Sequence, residues 1–175
     1  MKIALTLIIL LVLVVAVCYA IGARLPLDHV VTITGTVAAP PAKVFALITD
    51  VGDGASWRKS VKSVQVLPQN EGRDNWIEGL GHGNTMTFLA TRTEPLTPDG
   101  HALREVLLNV KGASYGGTWT YKITPAADLT QTILQITETG FIHPPFYRFV
   151  MAHVFGMTHN LDRYMQDIQA AAARP

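Results

Sequence analysis

Apolar and polar positions divide the chain into three unlike stretches. The first, residues 3–23, has no charged side chain; only Met1 and Lys2 precede it, and Arg24 closes it. A helix rises about 1.5 Å per residue, so this run covers the roughly 30 Å hydrocarbon layer of a bilayer. It predicts a single-pass membrane anchor over residues 1–24. A cleaved signal has an apolar region of only about 7–15 residues. Small residues near the end (Ala20, Gly22, Ala23) leave cleavage after Ala20 or Gly22 as the alternative, with length favouring the anchor. Val15, Ala16 and Val17 before Cys18 do not supply the small residue that a lipoprotein signal carries just before its cysteine. Lys2 and the free amine favour a cytoplasmic N-terminus, which puts the rest outside the cytoplasm, on the periplasmic side in a bacterium. Arg24, on the far flank, works against that orientation.

Residues 25–28 read as a short linker, and the second stretch starts at His29. Residues 29–37 alternate and are rich in β-branched side chains, which predicts a strand. Pro41 suits the first turn of a helix, and Val44, Phe45, Leu47 and Ile48 then form a helical stripe. Residues 50–54 break it, and a short turn through Trp57 follows. Strands are predicted over residues 61–67, 75–78, 85–93, 101–110, 118–124 and 130–139. Pro68, Pro95, Gly112 and the turn from Pro125 to Asp128 punctuate them. The Gly79-Leu80-Gly81-His82-Gly83 segment is followed by a strand, not a helix, so it reads as a flexible hairpin connection rather than a phosphate loop.

The third stretch has helical period. From Pro144 to about Ala172, Phe146, Val150, Val154, Met157, Leu161, Tyr164 or Met165, and Ile168 recur three and four apart. This predicts one long amphipathic helix, with Gly156 a mild weakness inside it. The order is strand, two short helices, six strands, long helix. The fold class is therefore α+β: a curved antiparallel sheet of about six to seven strands wrapped on a C-terminal helix over residues 29–172.

Composition narrows the function classes. Of 14 Lys and Arg, two flank the apolar run, leaving twelve against 13 Asp and Glu, so the domain is nearly neutral and carries no basic run suited to nucleic acid. Cys18, the single cysteine, lies in the apolar run, so the domain has no disulfide or thiol chemistry. No Gly-x-Ser-x-Gly, His-Glu-x-x-His or Walker loop is present. No cofactor is expected, and no Cys, His or carboxylate spacing supports a closed metal site.

The domain resembles the SRPBCC or helix-grip superfamily, which includes START domains, the birch-pollen allergen group and polyketide cyclases. One carrying segment is the first strand followed by Ala39-Pro40-Pro41-Ala42-Lys43-Val44-Phe45, Asp50 and Trp57. The other is Gly117-Thr118-Trp119-Thr120-Tyr121, Glu138-Thr139-Gly140-Phe141, Pro145, Arg148 and Asp162-Arg163-Tyr164. The resemblance covers nearly all of residues 30–172. It implies an apolar cavity between sheet and long helix that binds a hydrophobic small molecule or lipid. It implies no catalytic set residue by residue.

Several side chains are candidates for that site. Trp57, Trp76, Met86, Phe88, Trp119, Tyr121, Phe146, Phe149, His153 and Met157 are either packed core or the wall of a pocket. Glu138 is in phase with Leu134 and Ile136, so it points to the buried face and wants a partner. Arg148 is the expected one, forming a structural ion pair. Glu138, His82 and His153 are the acid/base candidates should the domain be an enzyme. The leading reading is a membrane-tethered domain that binds a hydrophobic small molecule or lipid in a cavity of roughly 300–1,000 Å³. The alternatives are a cyclase or dehydratase, or a non-catalytic envelope protein that binds a partner through its surface. On this reading the full chain pellets with membranes and resists alkaline carbonate, while a chain starting at Leu27 is soluble. Release by carbonate, or a mature N-terminus near Ile21 or Ala23, would contradict it.

Overall fold

In the computed structural model the described residues are 2–109, 113–127 and 129–174. Three sequence-predicted features, the strand end at Val110, its stop at Gly112 and the turn residue Asp128, lie outside them. Helix α1 (Lys2–Arg24) leads into strand β1 (Asp28–Val37). Pro41 then opens α2 (Pro41–Thr49), where its missing N–H costs no helical bond. A 3-10 turn (Val51–Asp53) and α3 (Gly54–Trp57) follow. Six strands come next: β2 (Ser63–Asn70), β3 (Arg73–Gly81), β4 (Asn84–Glu94), β5 (Ala102–Leu108), β6 (Tyr115–Pro125) and β7 (Thr132–Ile142).

The sheet is antiparallel throughout, in the order β1-β7-β6-β5-β4-β3-β2. The first two strands therefore lie at opposite edges, and α2 and α3 carry the chain across between them. Tight turns set the register of two hairpins. Glu71-Gly72 and His82-Gly83 have φ of 53° and 74°, and 52° and 76°, the positive pair that a type I′ turn needs. The glycine-rich segment is thus the end of β3 plus its turn.

Alternation along the strands places one apolar face inward, and α5 (His159–Ala172) covers it. Leu161, Tyr164, Met165, Ile168, Ala171 and Ala172 recur three and four apart and are buried. Leu161 and Ile168 meet Val37, Val44, Leu134 and Ile136 in a core with 0% exposure at each of them. Each such side chain contributes about 1.5–3 kcal/mol by leaving water. At Gly35 on β1 a Cβ would lie 2.9 Å from Met165 Sδ, so helix and edge strand pack closely.

The C-terminal helix is not continuous, in contrast to the expectation from its period. It divides into α4 (Pro145–Val150), a π-helical turn (Met151–Phe155) and α5. Gly156 stands between the last two with φ of 88°, a left-handed value that other residues adopt at a cost. Only the α5 part of the apolar stripe faces the sheet; Phe146 and Val154 are exposed.

Arg148 also departs from expectation: it does not pair with Glu138. Its Nε donates to the Gly22 carbonyl at 2.9 Å, and an NH group donates to the Ile142 and His143 carbonyls at 2.9 and 2.5 Å. The Gly22 carbonyl belongs to the last turn of α1, where such groups lack intrahelical donors and the helix dipole favours a cation. That end of α1 is packed on α4 so tightly that a Cβ at Gly22 would lie 1.9 Å from the Pro145 carbonyl oxygen. Sequence phase could place Arg148 near β7 but could not reveal that α1 brings a carbonyl to it.

Candidate functional site

The inward face of the sheet carries charge as well as hydrocarbon. Trp76 and Glu78 alternate with half-buried positions on β3, and Arg104 shares one face of β5 with Ala102, Val106 and Leu108. All six are buried, Glu78 and Arg104 to 2% exposure. Helix α3 ends at Trp57, which places Arg58 over this face. Its guanidinium meets the Glu78 carboxylate at 2.5 Å, and the Trp76 indole N–H donates to the same Glu78 oxygen at 3.0 Å. Arg104 donates to Asp74 at 2.9 Å and lies over the Trp76 ring at 5.8 Å. Trp76 is in turn stacked on Phe88, with ring centres 5.2 Å apart and planes 7° apart.

Tyr164 of α5 stands at the centre of this face. Its ring meets Trp57 at 5.5 Å, Trp119 at 5.7 Å and Tyr121 at 5.4 Å, while the Arg58 guanidinium covers it at 5.2 Å. Burial raises the Tyr164 hydroxyl to about 12, although Arg58 and the hydrogen bond with Tyr121 pull the other way. Burial also pushes Tyr121 well above its ordinary value, and the neighbouring Tyr164 adds to this. Both are neutral hydrogen-bonding groups near neutral pH. For Arg58, burial disfavours the charge, but Glu78 and the two tyrosines more than offset it, so its pKa is raised.

Four buried polar atoms around this cluster have no hydrogen-bond partner in the protein among the described residues: Trp57 Nε1, Glu78 Oε2, Arg104 Nε and Trp119 Nε1. Folded proteins leave few such atoms, and each costs about 1–3 kcal/mol if nothing satisfies it. Trp119 differs from the other three. Its indole N–H faces Glu138, its cross-strand neighbour, and favours the charged carboxylate without reaching hydrogen-bond geometry.

The sequence-predicted residues fall into three groups. Trp57, Trp76, Phe88, Trp119 and Tyr121 come together in this buried cluster, with Met86 partly buried opposite Glu78. Phe149 and Met157 are half-buried on the broken helix, apart from the cluster's ring contacts. Phe146 and His153 are exposed, and His153 rests against the Phe149 ring at 5.0 Å. His82 sits at an exposed hairpin tip. Glu138 is paired with His29 at 3.5 Å. Its carboxyl is raised by burial, partly offset by His29 and Trp119. Among the described residues no three His, Cys, Asp or Glu side chains are grouped to hold a metal.

The polar part of the cluster, Arg58, Glu78, Arg104 and Tyr164, is what the sequence reading missed. A signal was available: Glu78 follows Trp76 in phase, and Arg104 interrupts an apolar strand face. Space also differs from expectation. Two clefts of about 160 and 180 Å³ are present, one beside Glu94, Thr97 and His101, the other between α2 and Trp57. Neither is lined by Trp76, Phe88, Trp119, Tyr121 or Tyr164, whose rings pack in two sets, Trp76 on Phe88 and Trp119 with Tyr121 on Tyr164.

A curved antiparallel sheet closed over a C-terminal helix, with a polar cluster inside, defines a START- or polyketide-cyclase-like ligand-binding fold. The family described as "Polyketide cyclase / dehydrase and lipid transport" matches residues 28–172, and the chain belongs to it. Solved structures share the fold at low identity. A START superfamily protein from Mycobacterium smegmatis is 16% identical with a TM-score of 0.61, covering 82% of this chain and 97% of its own. The Zhui aromatase/cyclase from Streptomyces sp. R1128 is 17% identical with a TM-score of 0.63, covering 84% and 94%. Norcoclaurine synthase from Thalictrum flavum is 12% identical with a TM-score of 0.60, covering 85% and 95%. No curated protein matches the chain in sequence.

Two outcomes are expected from this geometry. Removing Glu78 (Glu78→Leu) leaves Arg58 unpaired and should cost about 3–5 kcal/mol of unfolding free energy, with Arg58→Met nearer the lower end. The double variant should cost less than the sum, as read from urea midpoints; simple additivity would show no coupling. Glu138 gives the second. Its raised pKa means that the folded chain keeps a proton the unfolded chain has released. Stability from this group is therefore present below the ordinary carboxylate value of 4.5 and is lost as pH rises through the raised one. Glu138→Gln should flatten that slope in urea midpoints measured against pH; an unchanged slope would contradict it.

Proposed function

We propose that this is a membrane-tethered domain that binds a hydrophobic small molecule or lipid between the sheet and α5. The observation that carries the reading is the set of unpartnered buried atoms, Trp57 Nε1, Glu78 Oε2 and Arg104 Nε, among stacked aromatic rings. Aromatic surface favours an apolar body, and a few fixed polar groups favour a ligand with a hydrogen-bonding head. Both a donor pair and an acceptor are offered, so a hydroxyl or carbonyl fits better than a simple hydrocarbon. Entry requires Tyr164 to move, and the break at Gly156, one turn before α5, supplies a place where the helix can pivot. A π-helical turn beside it fits that role, since such turns occur frequently at functional sites. Tethering is supported by α1, a 23-residue apolar helix in which Gly22, at the end packed on α4, is the one buried residue.

The three tryptophans of the chain, Trp57, Trp76 and Trp119, all lie in the cluster, so their emission reports its occupancy. Full-length protein titrated with dibromostearate, a quencher that acts at contact range, should show saturable loss of tryptophan emission. An unbrominated lipid extract should reverse it by competition. No quenching at saturating probe would remove the interior-binding reading and favour the surface-partner one. Quenching together with turnover of a polyketide-like substrate would favour an enzyme over a carrier.

A further inference from the structure

Beyond α1, the described Phe, Tyr and Trp side chains that are exposed number only four: Tyr115, Phe146, Tyr147 and Phe155. Three of them surround the point where α1 ends. The start of β1, the start of β6 and the end of β7 meet there, through Ile142 N–H to the Leu27 carbonyl at 3.0 Å and His143 N–H to the Ser114 carbonyl at 2.8 Å. Phe155 and Val154 continue the same segment, as its π-helical turn. Tyr147 of α4 and Val154 of the π-helical turn are both exposed. Their exposures are 61% and 63%, high for large apolar side chains on a short segment otherwise tied to the domain.

The position of this segment relative to α1 is constrained. Residues 25–27 alone separate α1 from β1, and three extended residues span at most about 10 Å. Arg148 then fastens α4 to the Gly22 carbonyl, and the Gly22–Pro145 contact leaves no room for a side chain between them. The domain therefore does not swing on a long tether. Residues 144–161 also include no Asp or Glu, while Arg148, His153 and His159 lie among them. A segment of this kind, with aromatic rings and without acidic groups, matches the bilayer interface, where Tyr and other amphipathic rings concentrate and phosphates are anionic.

We infer that α4 and its π-helical turn form a membrane-contact face, with Tyr115, Phe146, Tyr147, Val154 and Phe155 lodged among the headgroups of the bilayer that α1 crosses. The inference rests on reading α1 as an anchor. It adds that the domain is held against the membrane in one orientation, with Arg148 as the fastening between the crossing helix and the docked segment.

The test uses full-length protein carrying Cys18→Ser, reconstituted in phosphatidylcholine/phosphatidylglycerol vesicles. An environment-sensitive fluorophore is attached at Tyr147→Cys, at Val154→Cys or, as a control on the opposite edge strand, at Val66→Cys. Lipids spin-labelled near the headgroup should quench the first two several-fold more than the third, consistent with a depth of about 5–10 Å. Equal quenching at all three positions, with α1 still resistant to carbonate, would overturn the inference and leave the anchor standing. Release of α1 by carbonate would remove the anchor reading and this inference together. Disulfide cross-linking between Val154→Cys copies without lipid quenching would also overturn it, in favour of contact between copies of the chain.

Discussion

The Arg58–Glu78 pair is the interaction on which the interior of the domain depends. Two charges taken out of water are tolerable only when they meet each other and their remaining donors and acceptors are used. Arg58 meets the first condition by leaving α3 and reaching across the face of the sheet, which fixes the crossing segment between β1 and β2, while Glu78 Oε2 keeps no partner in the protein among the described residues. Glu78 accepts from Arg58 and from Trp76. Tyr164 then lies under the guanidinium, so the position of α5 is set by a polar cluster as well as by Leu161 and Ile168. Hydrocarbon burial alone would specify that a helix covers the sheet, but not how it is rotated or shifted along it.

Stability and function pull in different directions at this place. A packed aromatic interior resists solvent, whereas buried polar atoms without partners weaken it. Proteins keep such atoms where something else satisfies them, and the site offers both donors and an acceptor. The break before α5 belongs to the same balance. A continuous helix from Pro144 to Ala172 would hold Tyr164 rigidly; Gly156 divides it into a part fixed to α1 and a part fixed to the sheet.

Arg148 shows how a residue can be important without serving the pair that its sequence position suggests. Its guanidinium satisfies three carbonyl groups drawn from α1, β7 and the turn before α4. All three are backbone atoms, so none leaves a mark in side-chain pattern. Glu138, left without Arg148, takes His29 from the edge strand.

Most of the architecture was legible from local rules. Period-two alternation located seven strands, turn residues separated them, and the uncharged run announced α1, because each signal is carried by neighbours in sequence. Pro41 and the stripe from Val44 to Ile48 marked α2 for the same reason. The buried aromatic side chains Trp57, Trp76, Phe88, Trp119 and Tyr121 were legible because large apolar side chains are mostly buried, whereas Phe146, selected on the same ground, is exposed. Tertiary structure alone decided the rest. The order β1-β7 at one edge and β2 at the other makes partners of residues more than a hundred positions apart, and no periodicity encodes that. It also decided which charges meet inside: Arg58 with Glu78, and Arg148 with backbone carbonyls. Charge pairing depends on distance after folding, and two chemically equal partners for an arginine differ only in where the chain brings them.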